Sequence, residues 1–335
     1  MVVTNINDFK NFVFSQKDDL NTMNGQCNFC PKKALCLADN KTNTINSILS
    51  LEKDDTRFAF LLEVVKHNKW MLKLVPAKLY KKIYGWYTDN LPCPFFARKI
   101  IENIDKIEDV YNMLSDESSK RAYLNVLMYR LTFERKYVLN TLSEEHQYFI
   151  PEFSDLGCDE VFVDCGAYTG DTLEDFIAHN QIPKKCYLFE PDSNNANKLK
   201  HVIKNKNIED RSTVIEKGVY KCTTKLWFVS GKGSASFFTE EEVEKAVAID
   251  VVSIDDSVDE PATFIKMDVE GFEKVALKGA ENQLKQNAPK LAICVYHSVE
   301  DFWEIPLIIK EAGKYKNFKF RHYTDNFRES VFYAF

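Results

Sequence analysis

No apolar run in this 335-residue chain approaches the ~20 residues that a bilayer-spanning helix needs, so no membrane span is expected. The opening residues, MVVTNINDFKNF, lack a basic start ahead of an apolar stretch, and no secretory signal is expected. Positive charge is in deficit, with 44 Lys and Arg against 50 Asp and Glu and a net charge of −6. A broad nucleic-acid surface favours a basic chain, so nucleic acid is not the expected partner. The nine cysteines are an odd number, which with no export signal fits reduced thiols in a cytoplasmic protein better than a disulfide framework. Glycine is scarce in the first half. Of 11, only Gly25 and Gly85 precede Gly157, which predicts helices with few tight turns there. The sequence has no internal repeat, no low-complexity segment and no G-x-G-x-x-G.

What is present, 45% apolar and 28% charged residues, suits a soluble globular protein with room for roughly two domains. Pro151 in "YFIPEFSDLG" marks the expected junction between a helical domain, 1–150, and a second domain, 151–335. Ser115, Asp116 and Glu117 make a good helix start, after which Tyr123, Val126, Leu127 and Leu131 recur on one helical face. Beyond the junction strands and helices alternate. "EVFVDCG", "KCYLFEP", "STVIEKGVY", "TFIKMDVEG" and "KLAICVYH" read as strands. "DTLEDFIAHN", "DSNNANKLKHVIKN", "FEKVALKGAENQLKQ" and "EDFWEIPLIIKEAG" read as helices. "KLWFVS", "ASFF" and "AIDVVSID" form a strand-rich insertion. The alternation predicts a doubly wound, mostly parallel α/β sheet. "FKFRHY" and "SVFYAF" are joined too closely for a crossover helix, so the sheet should end in an antiparallel hairpin.

The first strand delivers Asp164 into a loop with Gly166 and Gly170, then Asp171 and a helix. Such a strand-to-helix turn forms a nucleotide crevice, and glycine lets backbone approach a ligand. Carboxylates on both sides of the loop would repel a diphosphate and suit a ligand with a cationic part. The alternative is a plain turn capped by Asp171. Glu190, ending the second strand, can accept hydrogen bonds from ribose hydroxyls, or be a surface acid ahead of Pro191. Asp192 either assists it or caps the next helix.

In that order, "VFVDCGAYTGDT", "LFEPD", "IEKGV", "FIKMDVEGFEKVALKGAE", "PKLAICVYH" and "RHY" resemble FkbM-type methyltransferases, a branch of the class I S-adenosylmethionine-dependent fold. The resemblance covers about residues 150–335 and implies a seven-stranded sheet and O-methylation of a hydroxyl on a saccharide or other small molecule. It implies that Asp164, Gly166 and Gly170 hold the methionine end of S-adenosylmethionine, with Ala167, Tyr168 and Asp171 lining the loop. It further implies that Glu190, within the E-P-D run of Pro191 and Asp192, takes the ribose. Gly218 and Val219, ending the third strand, approach the adenine. Asp268 and Glu270 face the methyl, and the segment around Ser234 and Ser236 closes over the cofactor. At Tyr168 the sequence departs from the family, where Gly or Asn is usual.

An alcohol acceptor needs a proton acceptor as the new bond forms. His297 is the expected base, its ordinary pKa lying near neutrality, with Asp268 and Glu270 as alternatives. The same three residues are an alternative divalent-metal set. Arg321 and Tyr323 would otherwise face solvent or a partner. Cys27, Cys30 and Cys36, spaced C-x2-C-x5-C, either bind a metal with Cys93 or His67 as a fourth ligand or are ordinary thiols. Two other functions stay open: an NAD-dependent oxidoreductase, and a non-catalytic binding protein with the same fold.

Overall fold

Strands of a parallel sheet covered on both faces must be apolar throughout, and β1, Val161–Cys165, is buried at every position. In the computed structural model, which describes residues 3–21, 99–132, 135–229, 237–239 and 246–335, β1 lies inside a seven-stranded sheet. The other strands are β2 (Lys185–Phe189), β3 (Ser212–Ile215), β8 (Phe264–Met267), β9 (Lys290–Cys294), β10 (Phe318–His322) and β11 (Ser330–Ala334), in the order β10-β11-β9-β8-β1-β2-β3. All neighbours are parallel except β11, which runs antiparallel to both β9 and β10. The expected closing hairpin is therefore present, and its second strand is the reversed one. Phe162 of β1 stacks on Phe264 of β8 and on Phe176 of the helix Asp171–His179, with ring centroids 5.3 and 4.9 Å apart. This aromatic stack anchors the helix that the glycine loop feeds.

Three sequence expectations need correction. "STVIEKGVY" is two strands, not one. Lys217 N donates to Ile215 O at 2.8 Å, a three-residue turn that ends β3. β4, Gly218–Val219, then pairs with β7, Ala246–Val252, in a separate four-stranded sheet with β5 (Thr224–Val229) and β6 (Phe237–Thr239). "FEKVALKGAENQLKQ" is likewise divided, into a helix Glu273–Lys278 and a π-turn Gln283–Asn287. Gly279 sits at the break, where a Cβ would come within 2.1 Å of Tyr220 O. Finally, the helix Glu117–Thr132 is not buried on one face. Residues 122–130 are all buried, and Leu131 of the expected stripe only partly so.

The described residues divide between two compact units, one drawn from 1–112, 116–142 and 324–328, the other from 113–115, 143–323 and 329–335. In the first, the helices are Ile6–Asn21, Ile104–Met113, Glu117–Thr132 and Lys136–Leu139. The cap of Glu117–Thr132 is Asp116 rather than Ser115: its Oδ1 accepts from Ser119 N at 2.6 Å. Arg130 donates to Phe327 O at 3.1 Å, its guanidinium over the Phe327 ring. The second unit carries both sheets.

Candidate active site

Strand order reverses around β1, with β2 and β3 on one side and β8 and β9 on the other. At such a switch point the loops leaving the carboxyl ends of the strands part to form a crevice. Asp164, Glu190, Asp268, Glu270 and His297 all lie at or just beyond these ends.

Asp164, expected beside a cationic ligand, is enclosed by the chain. It is 0% exposed, and its partner comes from the chain. Lys266, opposite it in the β1–β8 register and 3% exposed, places Nζ 3.0 Å from Asp164 Oδ1 and donates to Gly166 O at 2.8 Å. Among the described residues no hydrogen bond of good geometry reaches either Asp164 oxygen, so Lys266 is the compensation for this buried charge. Burial raises the Asp164 pKa and Lys266 pulls it back. Burial works against the charge on Lys266, but Asp164 and Asp268 hold its pKa above the ordinary lysine value. Lys266 ties β8 to the loop through Gly166 O.

The loop is built by its backbone. Gly166 has φ +82°, and a Cβ there would lie 1.9 Å from Asp268 O. Its missing side chain admits the β8 loop rather than a ligand. Gly166→Ala is thus expected to cost at least ~1–2 kcal/mol from the left-handed conformation alone, with the clash in addition, read as a lowered urea midpoint. Gly170 has φ +94° and begins the helix Asp171–His179 without a side-chain cap. Asp171 is exposed and accepts from Thr172 N, so it is not the cap. Tyr168 has φ +47°, a conformation that favours Gly and Asn, and the residue is 53% exposed.

Four of the loop's N–H groups are bonded within the protein. Gly166 N and Ala167 N both donate to Phe189 O (3.0 and 2.9 Å), and Gly170 N donates to Ala167 O (2.8 Å). Tyr168 N donates to Glu190 Oε2 at 3.0 Å, and Asp192 N to Glu190 Oε1 at 2.9 Å. Ala167 is fully buried. Glu190, 6% exposed, accepts one backbone N–H on each oxygen and has the Asn195 side chain as a further hydrogen-bond partner; burial raises its pKa. Asp192 is the helix cap, accepting from Asn194 N and Asn195 N, and Pro191 is exposed.

Beyond β8 and β9, His297 stands among carboxylates. Nδ1 is 3.1 Å from Glu273 Oε1, and Nε2 is 3.5 Å from both Asp268 Oδ1 and Glu270 Oε2. Burial works against a charged ring, but Glu270, Glu273 and Asp268 outweigh it and push the His297 pKa up to about 10. A raised pKa favours the imidazolium at neutral pH and weighs against His297 as the base expected from sequence. Asp268 accepts from Tyr296 OH at 3.0 Å and from Tyr148 OH at 3.5 Å. Around His297, among the described residues, Asp268, Glu273 and His297 present ligand atoms within 4.8 Å of one another, so Glu273 replaces Glu270 in the metal set considered from sequence. Glu273 is fully buried and also accepts from Val269 N at 2.8 Å.

Several expected residues lie elsewhere. Gly218 and Val219 belong to β4 of the smaller sheet, and Val219 is buried. Arg321 faces neither solvent nor a partner but pairs with Glu145 at 2.8 and 3.1 Å, and Tyr323 bonds to Tyr333 OH at 2.7 Å. Ser234, Ser236, Cys27, Cys30, Cys36, Cys93 and His67 lie outside the described residues. Lys266, Glu273, Tyr148 and Tyr296 were not singled out from sequence. Lys266 had a signal, a cation inside a buried strand, which demands a buried partner.

Among known proteins, residues 164–327 match the family model of the methyltransferase FkbM domain. The crystal structure of methyltransferase FkbM from Methylobacillus flagellatus KT is similar at a TM-score of 0.60 and 29% identity, over 71% of this chain and 60% of that one. The chain thus spans less than two thirds of that protein's length. An rRNA methylase from Streptococcus thermophilus gives 0.33 and 16%, over 53% and 86% of the two chains. Fibrillarin from Aeropyrum pernix, with natively bound S-adenosyl-L-methionine, gives 0.34 and 10%, over 56% and 71%. No curated protein sequence matches. No helix among the described residues is long and apolar enough to cross a membrane. With a reversed β11 closing the sheet and a glycine loop at the head of β1, the chain carries over residues 164–327 a match to the methyltransferase FkbM domain.

Proposed function

We propose that this protein transfers a methyl group from S-adenosylmethionine to a hydroxyl of a saccharide or other small molecule. The carrying observation is that four of the loop N–H groups are bonded within the protein. A dinucleotide needs free N–H groups to cradle its diphosphate, and the N–H groups of Gly166, Ala167, Tyr168 and Gly170 are spent within the protein. An NAD-dependent oxidoreductase is disfavoured on this ground. An adenosine with a cationic tail asks for no such cradle and suits the acidic rim of Asp171, Asp268 and Glu270.

When bound, this donor supplies a methyl group already activated on a positive sulfur. The chain then has to position the acceptor, exclude water and take a proton. Glu190 offers its remaining acceptor capacity to the ribose hydroxyls. The exposed Tyr168 lies in the loop, and Asp164 acts at one remove, through Lys266 and Gly166. Asp268 accepts the hydroxyl proton. His297 keeps its own proton and, with Tyr296, orients the Asp268 carboxylate. We assign residues 151–335 to donor binding and transfer, and 1–150 to a helical N-terminal domain.

Calorimetry tests this reading. S-adenosylmethionine is expected to bind and NAD not to. Glu190→Gln should weaken the donor by roughly 10–100-fold, the loss of one or two hydrogen bonds to a charged group. Binding of NAD in preference to S-adenosylmethionine would overturn it.

A further inference from the structure

Outside this crevice, in the same unit, two histidines and an aspartate converge. Asp175 and His179 are one turn apart in the helix Asp171–His179 and so share a face. His146 comes from the segment that precedes β1. The His146 and His179 rings lie 4.0 Å apart at their centroids, tilted by 50°, and His146 Nε2 is 3.8 Å from Asp175 Oδ2. One ligand atom from each of the three falls within 4.8 Å of the others.

The ring orientations carry the inference. His146 Nδ1 lies 3.0 Å from Gln147 O, and His179 Nδ1 lies 2.9 Å from Asp175 O. A carbonyl oxygen only accepts, so in both rings Nδ1 must carry the proton. Each neutral ring then keeps a lone pair on Nε2. Tying the far nitrogen to a backbone carbonyl is how proteins fix the tautomer and orientation of a metal-ligating histidine. Here it occurs twice, on rings that face each other, with a carboxylate alongside. Two neutral imidazoles in tilted contact gain little from one another in water. A cation shared between their free nitrogens gives the arrangement a purpose.

We propose that His146, Asp175 and His179 bind a divalent transition-metal ion of the zinc class. Two imidazoles and one carboxylate are ligands that zinc accepts, with water completing a tetrahedral shell. Contraction of the three groups by a few tenths of an ångström to about an ångström would bring them to zinc distances of about 2.0–2.2 Å. The ion would act as a clip. It would join the segment carrying Tyr148, whose hydroxyl reaches Asp268, to the helix that begins at the glycine loop.

The full-length protein, freed of metal, is titrated with zinc against a chromogenic chelator, and separately with cobalt while its visible spectrum is recorded. His146→Ala and His179→Ala should each lose one equivalent of zinc, or bind it at least ~100-fold more weakly, and lose the cobalt spectrum of nitrogen and oxygen ligands. Both side chains are partly or fully exposed, so the variants should keep the wild-type far-ultraviolet circular dichroism. His297→Ala should keep the equivalent, which separates this site from the crevice. Zinc should raise the melting temperature of the wild type and leave that of the two variants unchanged. An unchanged equivalent in both variants would overturn the proposal. So would loss in His297→Ala alone, or a cobalt spectrum showing only thiolate ligation.

Discussion

Asp164→Ala is expected to destabilise the protein by about 3–5 kcal/mol, because it leaves the Lys266 ammonium buried without a counter-charge. Both side chains are almost wholly buried and 3.0 Å apart. Losses of this size remove much of the roughly 5–15 kcal/mol that separates a folded domain from its unfolded chain. Urea unfolding followed by circular dichroism measures it. The double variant Asp164→Leu, Lys266→Met should recover most of the loss, since an apolar pair of similar volume is often neutral or better than a buried ion pair. It should nevertheless bind the donor poorly, because the hydrogen bond from Lys266 to Gly166 O is gone and the loop is no longer tethered to β8. A single variant as stable as the wild type would show that the pair is not what holds Lys266 in place.

Asp268→Asn is expected to slow methyl transfer by ~10²–10⁴-fold, the usual worth of a general base, with donor affinity changed only a few-fold. Asparagine keeps the hydrogen bond from Tyr296 but cannot take a proton. Wild-type activity should also show no histidine limb across roughly pH 5–8, where an unperturbed imidazole titrates, because His297 stays charged up to about 10. The sign for stability follows from the raised pKa. The His297 contribution is fully present below its ordinary value of 6.5 and is lost as pH climbs through about 10. A rate that rises with a midpoint near 6.5 would return the base role to His297.

The sheet was legible because its strands are short apolar runs between helix-like segments, a pattern that survives without tertiary knowledge. "VFVDC", "KCYLF" and "KLAIC" could hardly be anything else. Boundaries failed where tertiary contact overrode local pattern. β3 ends because β4 is recruited by β7, and the helix after Phe272 breaks because Gly279 abuts the Tyr220 carbonyl. Within the site, positions were legible and partners were not. Asp164, Glu190, Asp268 and His297 all sit at strand ends, as topology requires. That Asp164 is answered by Lys266, or that Glu273 rather than open water faces His297, depends on register between segments about a hundred residues apart, or on one turn of backbone after Gly271. His146 and His179, 33 positions apart in sequence, had no local signal at all.

The contact between Gly166 and the Asp268 carbonyl makes the two halves of the crevice one mechanical part. With no room for even a methyl group between these loops, a donor seated as proposed could not tilt without carrying the proposed proton acceptor along. The line of attack is therefore ruled by main-chain packing, and a new acceptor could be accommodated by redrawing the outer walls while the reacting axis stays true.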